Sequence, residues 1–244
     1  MPTRLLDLGD AACTLEFGHT IAPALVARVA AAATALHEAQ AQGALPGVTD
    51  VVPTLRSLTV CFDPLTTDRD ALAALLLALD AAPAEAAPPT RRWRLPACYD
   101  AQLGADLAEV ARALDASTDD VVRLHSGSDL RVAMLGFLPG FAFLTGLAPA
   151  LHLPRRREPR LRVPPGSVAV AGGMSAVYPW ASPGGWHLLG NCPLPLFNPA
   201  LTPPSLLAPG DAVRFDPISP GEHAALLAAV ARGEVDAQTY AEAP

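Results

Sequence analysis

Five arginines lie within eight residues of this sequence, at positions 155, 156, 157, 160 and 162. The planar guanidinium group matches carboxylates and phosphates, and the formal net charge of the 244-residue chain is −7, so this local concentration of positive charge stands out. Pro154 and Pro159 directly precede Arg155 and Arg160 and stiffen the backbone that carries them. The run therefore indicates an anion-binding site or a solvated loop, and both interpretations stay open.

Two glycine-rich segments with aromatic residues could shape such a site. In residues 136–141 (GFLPGF) the glycines allow close backbone approach, and Phe137 and Phe141 either wall a pocket or hold a rigid turn. In residues 182–186 (SPGGW) the paired Gly184 and Gly185 can present backbone N–H groups to an anion, while Trp186 either stacks on a ligand or fills the core.

His125 is the candidate for proton transfer, because histidine titrates near neutral pH, although a histidine at a helix end more often serves as a hydrogen-bonding group. The sequence has no lysine, which excludes a P-loop lysine, a Schiff-base lysine and a Ser-Lys amidase. Residues 173–177 (GMSAV) approximate a nucleophile elbow but lack its second glycine. The four cysteines form no CxxC pair, so reduced thiols and no metal site are expected.

The elements that must position these residues fall into three segments. Residues 1–85 predict a ββαββα domain, with strands at 4–8, 12–17, 51–52 and 58–62, one helix from residue 21 to 36, and a second helix after a capping box at 67–70. Residues 81–90 (AAPAEAAPPT) read as a linker. Residues 86–220 predict two helices, the second capped by Ser117 with Asp120 three residues on, and many short strands. The sixteen prolines between 139 and 220 exclude long helices there. Residues 221–244 predict a last helix and tail, capped by Ser219 and stopped at Gly233.

Composition narrows the class of protein. The longest strongly apolar run, residues 71–79, is far shorter than the roughly 20 residues of a membrane span, and the charged first ten residues do not resemble a signal peptide. We therefore expect a cytoplasmic protein. The net negative charge of the chain argues against general nucleic-acid binding.

Taken together and in order, the motifs resemble those of the KipI/PxpB family, also called allophanate hydrolase subunit 1. The resemblance covers nearly the whole chain. Its matching segments are residues 9–10 (GD), 61–64 (CFDP), 124–126 (LHS), 135–141 (LGFLPGF), 154–156 (PRR), 158–160 (EPR), 163–168 (VPPGSV), 178–179 (YP), 182–190 (SPGGWHLLG) and 196–197 (LF).

The resemblance implies an α+β fold, with a small α/β N-terminal domain followed by a cyclophilin-like β-barrel. It implies the B subunit of a prokaryotic ATP-dependent 5-oxoprolinase, a hydrolase complex that opens 5-oxoproline to glutamate. It also implies that this chain is inactive without the other subunits. The implied partners are a KipA/PxpC-like and a PxpA-like (LamB/YcsF) protein, with a small amide or lactam as substrate and ATP with Mg as cofactor. The implied site comprises His125 as the catalytic residue, with substrate or phosphate bound by Arg155, Arg160, Gly184, Gly185, Trp186, Tyr178, Phe137 and Phe141.

Two alternatives accompany this interpretation. One is an allophanate hydrolase or urea-carboxylase-type subunit that acts on another small amide, and the other is a KipI-like histidine kinase inhibitor. The sequence also departs from the family at two places: residues 174–176 (MSA) replace Gln-Thr-Gly, and residues 191–193 (NCP) replace Arg-Thr-Pro. Both replacements lie at the expected rim of the pocket and predict an altered substrate or a weaker activity.

Overall fold

The computed structural model describes residues 3–80 and 91–242, which belong to two separate units. The expected linker at 81–90 lies outside the described residues. The expected third segment is not separate, because Leu226 and Val230 of the last helix pack against the core of the second unit. No helix in the two described stretches is long and apolar enough to cross a membrane.

The first unit has the predicted ββαββα order. Its elements are β1 (Arg4–Asp7), β2 (Ala12–Glu16), α1 (Pro23–Ala41), β3 (Val48–Pro53), β4 (Ser57–Phe62) and α2 (Arg69–Asp80). The strands form one antiparallel sheet in the order β1-β2-β4-β3. Alternate residues of β4 are buried, so Leu58, Val60 and Phe62 meet the apolar face of α1, as the period of two predicts.

The start of α2 differs from the predicted capping box. The Asp68 carboxylate accepts the backbone N–H groups of Asp70 and Ala71 (2.9 and 3.2 Å), whereas the Thr67 hydroxyl donates to the Pro46 carbonyl oxygen (2.9 Å). The cap is therefore one residue later than expected, because Thr67 ties the helix to the preceding loop.

The second unit combines short strands with three helices. Its elements are β5 (Arg92–Ala97), α3 (Leu107–Ala113), α4 (Thr118–Ser126), β6 (Leu130–Leu135), β7 (Ala142–Thr145), β8 (Arg160–Val163), β9 (Ser167–Ala171), β10 (Met174–Val177), β11 (Ser182–Gly184), β12 (His187–Asn191), β13 (Ala212–Pro217), α5 (Pro220–Ala231) and β14 (Ala241–Glu242), with two short 3-10 helices at Pro149–Leu151 and Ala237–Tyr240. The predicted capping boxes at Ser117 and Ser219 are both present and begin α4 and α5.

The strands of this unit do not form the expected closed barrel. Eight of them make a sheet in the order β12-β9-β10-β7-β6-β13-β5-β14, and β11 and β8 make a separate ribbon. A single antiparallel bridge joins Cys98, next to the end of β5, to Asn191 of β12. Among the described residues the fold of this unit is therefore α+β. Its sheet is not closed, since one bridge replaces a continuous pairing of β5 with β12.

Candidate functional site

The predicted arginine segment lies along the predicted glycine segment. The backbone N–H of Arg156 donates to the Gly185 carbonyl oxygen (2.8 Å), and Arg160 is opposite Gly184 in the β8–β11 ribbon. The paired residues are 24 positions apart for Arg160 and Gly184 and 29 for Arg156 and Gly185, yet main-chain hydrogen bonds hold the two segments together. The structure thus brings together the arginines and the paired glycines.

A buried carboxylate that sequence reasoning missed joins two of these arginines. Asp106 is 1% exposed, and its Oδ1 accepts from Nη1 of Arg156 (2.8 Å) and from Nη2 of Arg160 (2.6 Å). Arg156 also reaches the exposed Glu109 (3.1 Å). The sequence offers no specific signal for this role, because an aspartate just before an apolar helix resembles an ordinary N-cap. Its side chain makes no cap bond to α3.

Both arginines keep donors that the described chain does not satisfy. Nε of Arg156 and Nη1 of Arg160 are shielded from solvent and have no hydrogen-bond partner in residues 3–80 and 91–242. Nδ1 of His187, in the adjoining strand, is in the same state, while its Nε2 donates to the Pro154 carbonyl oxygen (2.9 Å). Buried polar groups in native proteins are nearly always paired, so unpaired polar atoms at one place indicate a missing partner.

Tyr178 and Arg155 adjoin this cluster. Burial raises the pKa of the Tyr178 hydroxyl above its ordinary value, and the positive charges of Arg155 and Arg160 partly offset that rise. Tyr178 is 1% exposed, whereas Arg155 is exposed to solvent. Arg155 is therefore close enough to act electrostatically on the site without joining the Asp106 ion pairs.

The paired glycines have different surroundings. A Cβ at Gly184 would lie 2.4 Å from the Tyr178 hydroxyl and 3.0 Å from two of its ring atoms, whereas a Cβ at Gly185 would meet Pro159 at an ordinary 3.7 Å. Gly184 is thus required by the close approach of a buried ring. Gly185 is not required for packing.

This difference predicts opposite outcomes for two alanine variants. Gly184→Ala is expected to lower the unfolding free energy by about 2 kcal/mol, because the added Cβ would collide with the Tyr178 ring, which is buried and packed against Phe141. Gly185→Ala is the matched control and is expected to change it by less than about 0.5 kcal/mol. Urea unfolding followed by tryptophan fluorescence measures both, since all three tryptophans lie in the second unit. Equal effects of the two variants would contradict the assigned contact.

The predicted aromatic residues form one cluster around Phe141. Its ring centroid lies 5.1 Å from that of Tyr178, 5.5 Å from Phe137 and 6.1 Å from Trp186. Trp186 is buried, so its ring faces the core, and stacking on a ligand would require it to move. Phe137 is 64% exposed and has a φ of 68°, a conformation that L residues rarely adopt. Of the predicted pocket walls, Phe137 alone presents a largely exposed ring.

His125 lies away from solvent, in a setting that differs from the expected catalytic one. Its ring is fully buried, with Nδ1 2.8 Å from the Tyr99 hydroxyl and Nε2 2.8 Å from the Ser175 hydroxyl. Burial lowers the pKa of His125 to about 3. A neutral imidazole with both nitrogens bonded has no free position for a substrate, so in this arrangement it holds α4 to β10. Proton transfer by His125 stays a prediction that would require the core to open.

The two departures from the family pattern have structural roles here. Ser175 bonds His125, and Met174 and Ala176 are buried in β10. Asn191 donates through Nδ2 to the Pro165 carbonyl oxygen (2.9 Å) and accepts through Oδ1 from His223 Nε2 (2.8 Å). Asn191 therefore connects a turn, β12 and α5. Burial raises the pKa of the neighbouring Cys192 thiol to about 12.

Three clefts of the second unit lie away from the arginine cluster. Clefts of about 630, 320 and 230 Å³ open in the second unit, and none of the three is lined by Arg155, Arg160 or Tyr178. In the part of the chain that the structure describes, no three His, Cys, Asp or Glu side chains are grouped to hold a metal ion. The candidate anion site is thus a set of arginine donors beside an aromatic cluster.

Comparison with known proteins places the chain among characterised relatives. The family model described as "Carboxyltransferase domain, subdomain C and D" matches residues 3–207. The B subunit of 5-oxoprolinase from Bacillus subtilis (strain 168) is 36% identical over 227 residues, which are 88% of this chain and 93% of that protein. The B subunit of 5-oxoprolinase from Escherichia coli O157:H7 is 43% identical over 179 residues, which are 72% of this chain and 81% of that protein.

Solved structures give the same fold. TTHA0988 aligns with a TM-score of 0.74 and 40% identity over 85% of this chain, and this chain spans only 40% of that longer one. The urea carboxylase of Kluyveromyces lactis aligns with a TM-score of 0.75 at 19% identity, over 98% of this chain and 24% of that one. At that identity the second likeness concerns the fold alone.

Proposed function

The chain belongs to the family of carboxyltransferase domains, subdomains C and D, and on that basis we propose that it is the B subunit of a 5-oxoprolinase. The observation that carries the proposal is 36% identity to the corresponding Bacillus subtilis subunit across 93% of that protein. The reaction is the ATP-dependent opening of 5-oxoproline, a cyclic amide, to glutamate. A subunit requires partners, and we propose a KipA/PxpC-like and a PxpA-like protein, with this chain inactive alone.

The arginine cluster suits the substrate of that reaction. 5-Oxoproline has one carboxylate beside its lactam ring, and a guanidinium group binds a carboxylate or a phosphate through parallel hydrogen bonds. The free donors of Arg156 and Arg160 would hold that group, and Arg155 would add positive charge. Gly184 and Gly185 would hold the β8–β11 ribbon, and with it Arg160, beside the ligand. The exposed Phe137 ring would cover the apolar side of the ligand.

ATP with Mg is proposed as the co-substrate of the complex. When bound, ATP supplies a phosphoryl group that can activate an amide oxygen. The unpaired arginine donors fit one phosphate as well as they fit one carboxylate, and the chain has no lysine to assist. This chain's contribution is therefore binding and charge neutralisation at a single anionic group.

We also propose that the second unit is related to cyclophilin-like barrels. The eight-stranded sheet and the Cys98–Asn191 bridge between strands near its two ends support this relation. The buried Tyr99–His125–Ser175 hydrogen bonds would then stabilise the sheet behind the arginine site.

Allophanate hydrolysis by this chain is a weaker proposal. The likeness to urea carboxylase supports it only at the level of fold. The Ser-Lys amidase mechanism needs a lysine as base, and the sequence has none. Kinase inhibition has no supporting contact or surface among the described residues.

A substrate panel tests these functions against one another. The chain is co-expressed with the KipA/PxpC-like and PxpA-like proteins of its organism, and the purified complex is incubated with ATP and 5-oxoproline, allophanate or urea. We expect glutamate from 5-oxoproline and no ammonia above background from the other two. Turnover of allophanate without turnover of 5-oxoproline would favour the alternative and reject the proposal.

A further inference from the structure

We propose that Asp106 is a positioning residue of the anion site, which aims the free donors of Arg156 and Arg160 at one carboxylate or phosphate of the ligand. The inference deepens the proposed function and rests on it for the identity of the ligand. Neither the family motifs nor the sequence pattern singles out this residue. Three sets of contacts support its role.

The first set fixes Asp106 itself. Its backbone N–H donates to the Leu188 carbonyl oxygen (3.0 Å), and its Oδ2 accepts from the Leu188 N–H (2.7 Å). Gly104 allows the loop to come this close, since a Cβ there would lie 2.1 Å from the Leu189 carbonyl oxygen. The carboxylate is therefore locked to β12 independently of the arginines.

The second set of contacts holds the two arginine side chains in place through the fixed Asp106 carboxylate. Both guanidinium groups bond the same oxygen, Oδ1, while the opposite oxygen is used by the main chain. An arginine side chain otherwise samples many rotamers, and holding it in one geometry costs conformational entropy. The bonds to Asp106 offset that cost in the folded protein before any ligand binds. The ligand then meets a preorganised site.

The third set defines what the site would bind. After pairing with Asp106, Arg160 keeps a buried and unpartnered Nη1 and Arg156 keeps a buried and unpartnered Nε within the described chain. Arg155, Arg156 and Arg160 contribute three positive charges, and Asp106 and Glu109, which pair with Arg156 and Arg160, contribute two negative ones, so these five side chains keep one net positive charge. N–H donors and one excess positive charge match one monoanionic oxygen group, and they disfavour a cation or an apolar ligand.

The test measures the order of the arginines directly. In the ¹⁵N-labelled full chain, the Nε–Hε signals of Arg156 and Arg160 are assigned with R156K and R160K, and their ¹H–¹⁵N heteronuclear NOE is recorded without ligand. The same samples are then titrated with inorganic phosphate and, separately, with 5-oxoproline, which distinguishes a phosphate site from a carboxylate site. Asp106→Asn is the test variant. Asp216→Asn is the matched control, because Asp216 forms a two-bond pair with Arg94 outside the site.

Asp106→Asn is expected to mobilise both arginine signals and to weaken binding of the preferred anion at least tenfold, while Asp216→Asn leaves both properties unchanged. A folded Asp106→Asn chain with wild-type arginine order, or with wild-type affinity, overturns the proposal. If Asp106→Asn does not fold, Asp106→Glu is tested instead, since its longer side chain displaces the acceptor oxygen. Wild-type arginine order or wild-type affinity in Asp106→Glu would also overturn the proposal. A wild-type chain that responds to neither anion also overturns it. Failure of the 5-oxoprolinase proposal is separate, because it would leave an ordered, anion-binding site in a complex that releases no glutamate.

Discussion

Replacing Arg160 with alanine is expected to lower ATP-dependent glutamate release by the assembled complex at least about 100-fold, with the fold of the chain retained. In the proposed site, the buried free donor of Arg160 binds the anion, and removal of one partner of a buried charge pair costs about 2–5 kcal/mol. Each 1.4 kcal/mol or so corresponds to a factor of about ten in rate. The fold persists because Asp106 keeps its bonds to Arg156 and to the Leu188 N–H.

Lysine at the same position separates charge from geometry. Arg160→Lys keeps the positive charge but has one nitrogen, which cannot bond Asp106 and the ligand in the manner of a guanidinium fork. It is therefore expected to lose most of the activity as well. Arg123→Ala is the matched control, because it removes an arginine that pairs with Asp120 on the surface of the same unit. Full activity of both Arg160 variants would show that the arginine site has no role in the reaction.

Acidification is expected to destabilise the second unit well above the pH at which carboxylates protonate. The unfolded His125 imidazole has a pKa near 6.5 and the folded one about 3, so the unfolded state binds the extra proton between these values. Stability is therefore complete above about pH 6.5 and is lost as pH falls toward 3. Between about pH 7.5 and pH 4 the loss is expected to reach about 3 kcal/mol.

The cause is the burial of this ring, and its described contacts include no counter-charge that would offset the lowered pKa. The neighbours of His125 are the Tyr99 and Ser175 hydroxyls and the Phe215 ring, and burial raises the pKa of Tyr99 as well. His125→Gln should flatten the pH dependence of urea unfolding, even if the variant is less stable at neutral pH. The control His152→Gln removes an exposed histidine of the same unit and should keep the wild-type profile. Identical profiles for wild type and His125→Gln would show that the buried ring does not cause the acid sensitivity.

Local sequence signals predict the elements of this chain better than they predict its contacts. The capping boxes at Ser117 and Ser219 and the alternation in residues 57–62 specify their elements within a few residues, so α4, α5 and β4 are confirmed. The short strands β7, β8, β10 and β11 escape prediction, because a run of three or four residues shows too little alternation to be recognised as a strand. The closed barrel is not found among the described residues, because a single bridge between Cys98 and Asn191 stands where a closed sheet needs a continuous pairing of β5 with β12.

The candidate site shows the same division. The arginine run and the paired glycines are visible as residue types, and the structure places them side by side. Asp106 is not visible, because its partners are about 50 residues away and its position before α3 looks like a common cap. His125 is visible as a histidine, but only the fold reveals that a hydroxyl occupies each of its nitrogens.

The most direct measurement of the proposed function is omission of each protein from the complex in turn. The complex is rebuilt from separately purified proteins, this chain and the KipA/PxpC-like and PxpA-like partners, and ATP-dependent glutamate release from 5-oxoproline is followed. We expect activity to disappear without this chain, to return when wild-type chain is added back, and not to return with Arg160→Ala. Full activity of the two partners without this chain would contradict its assignment to the reaction.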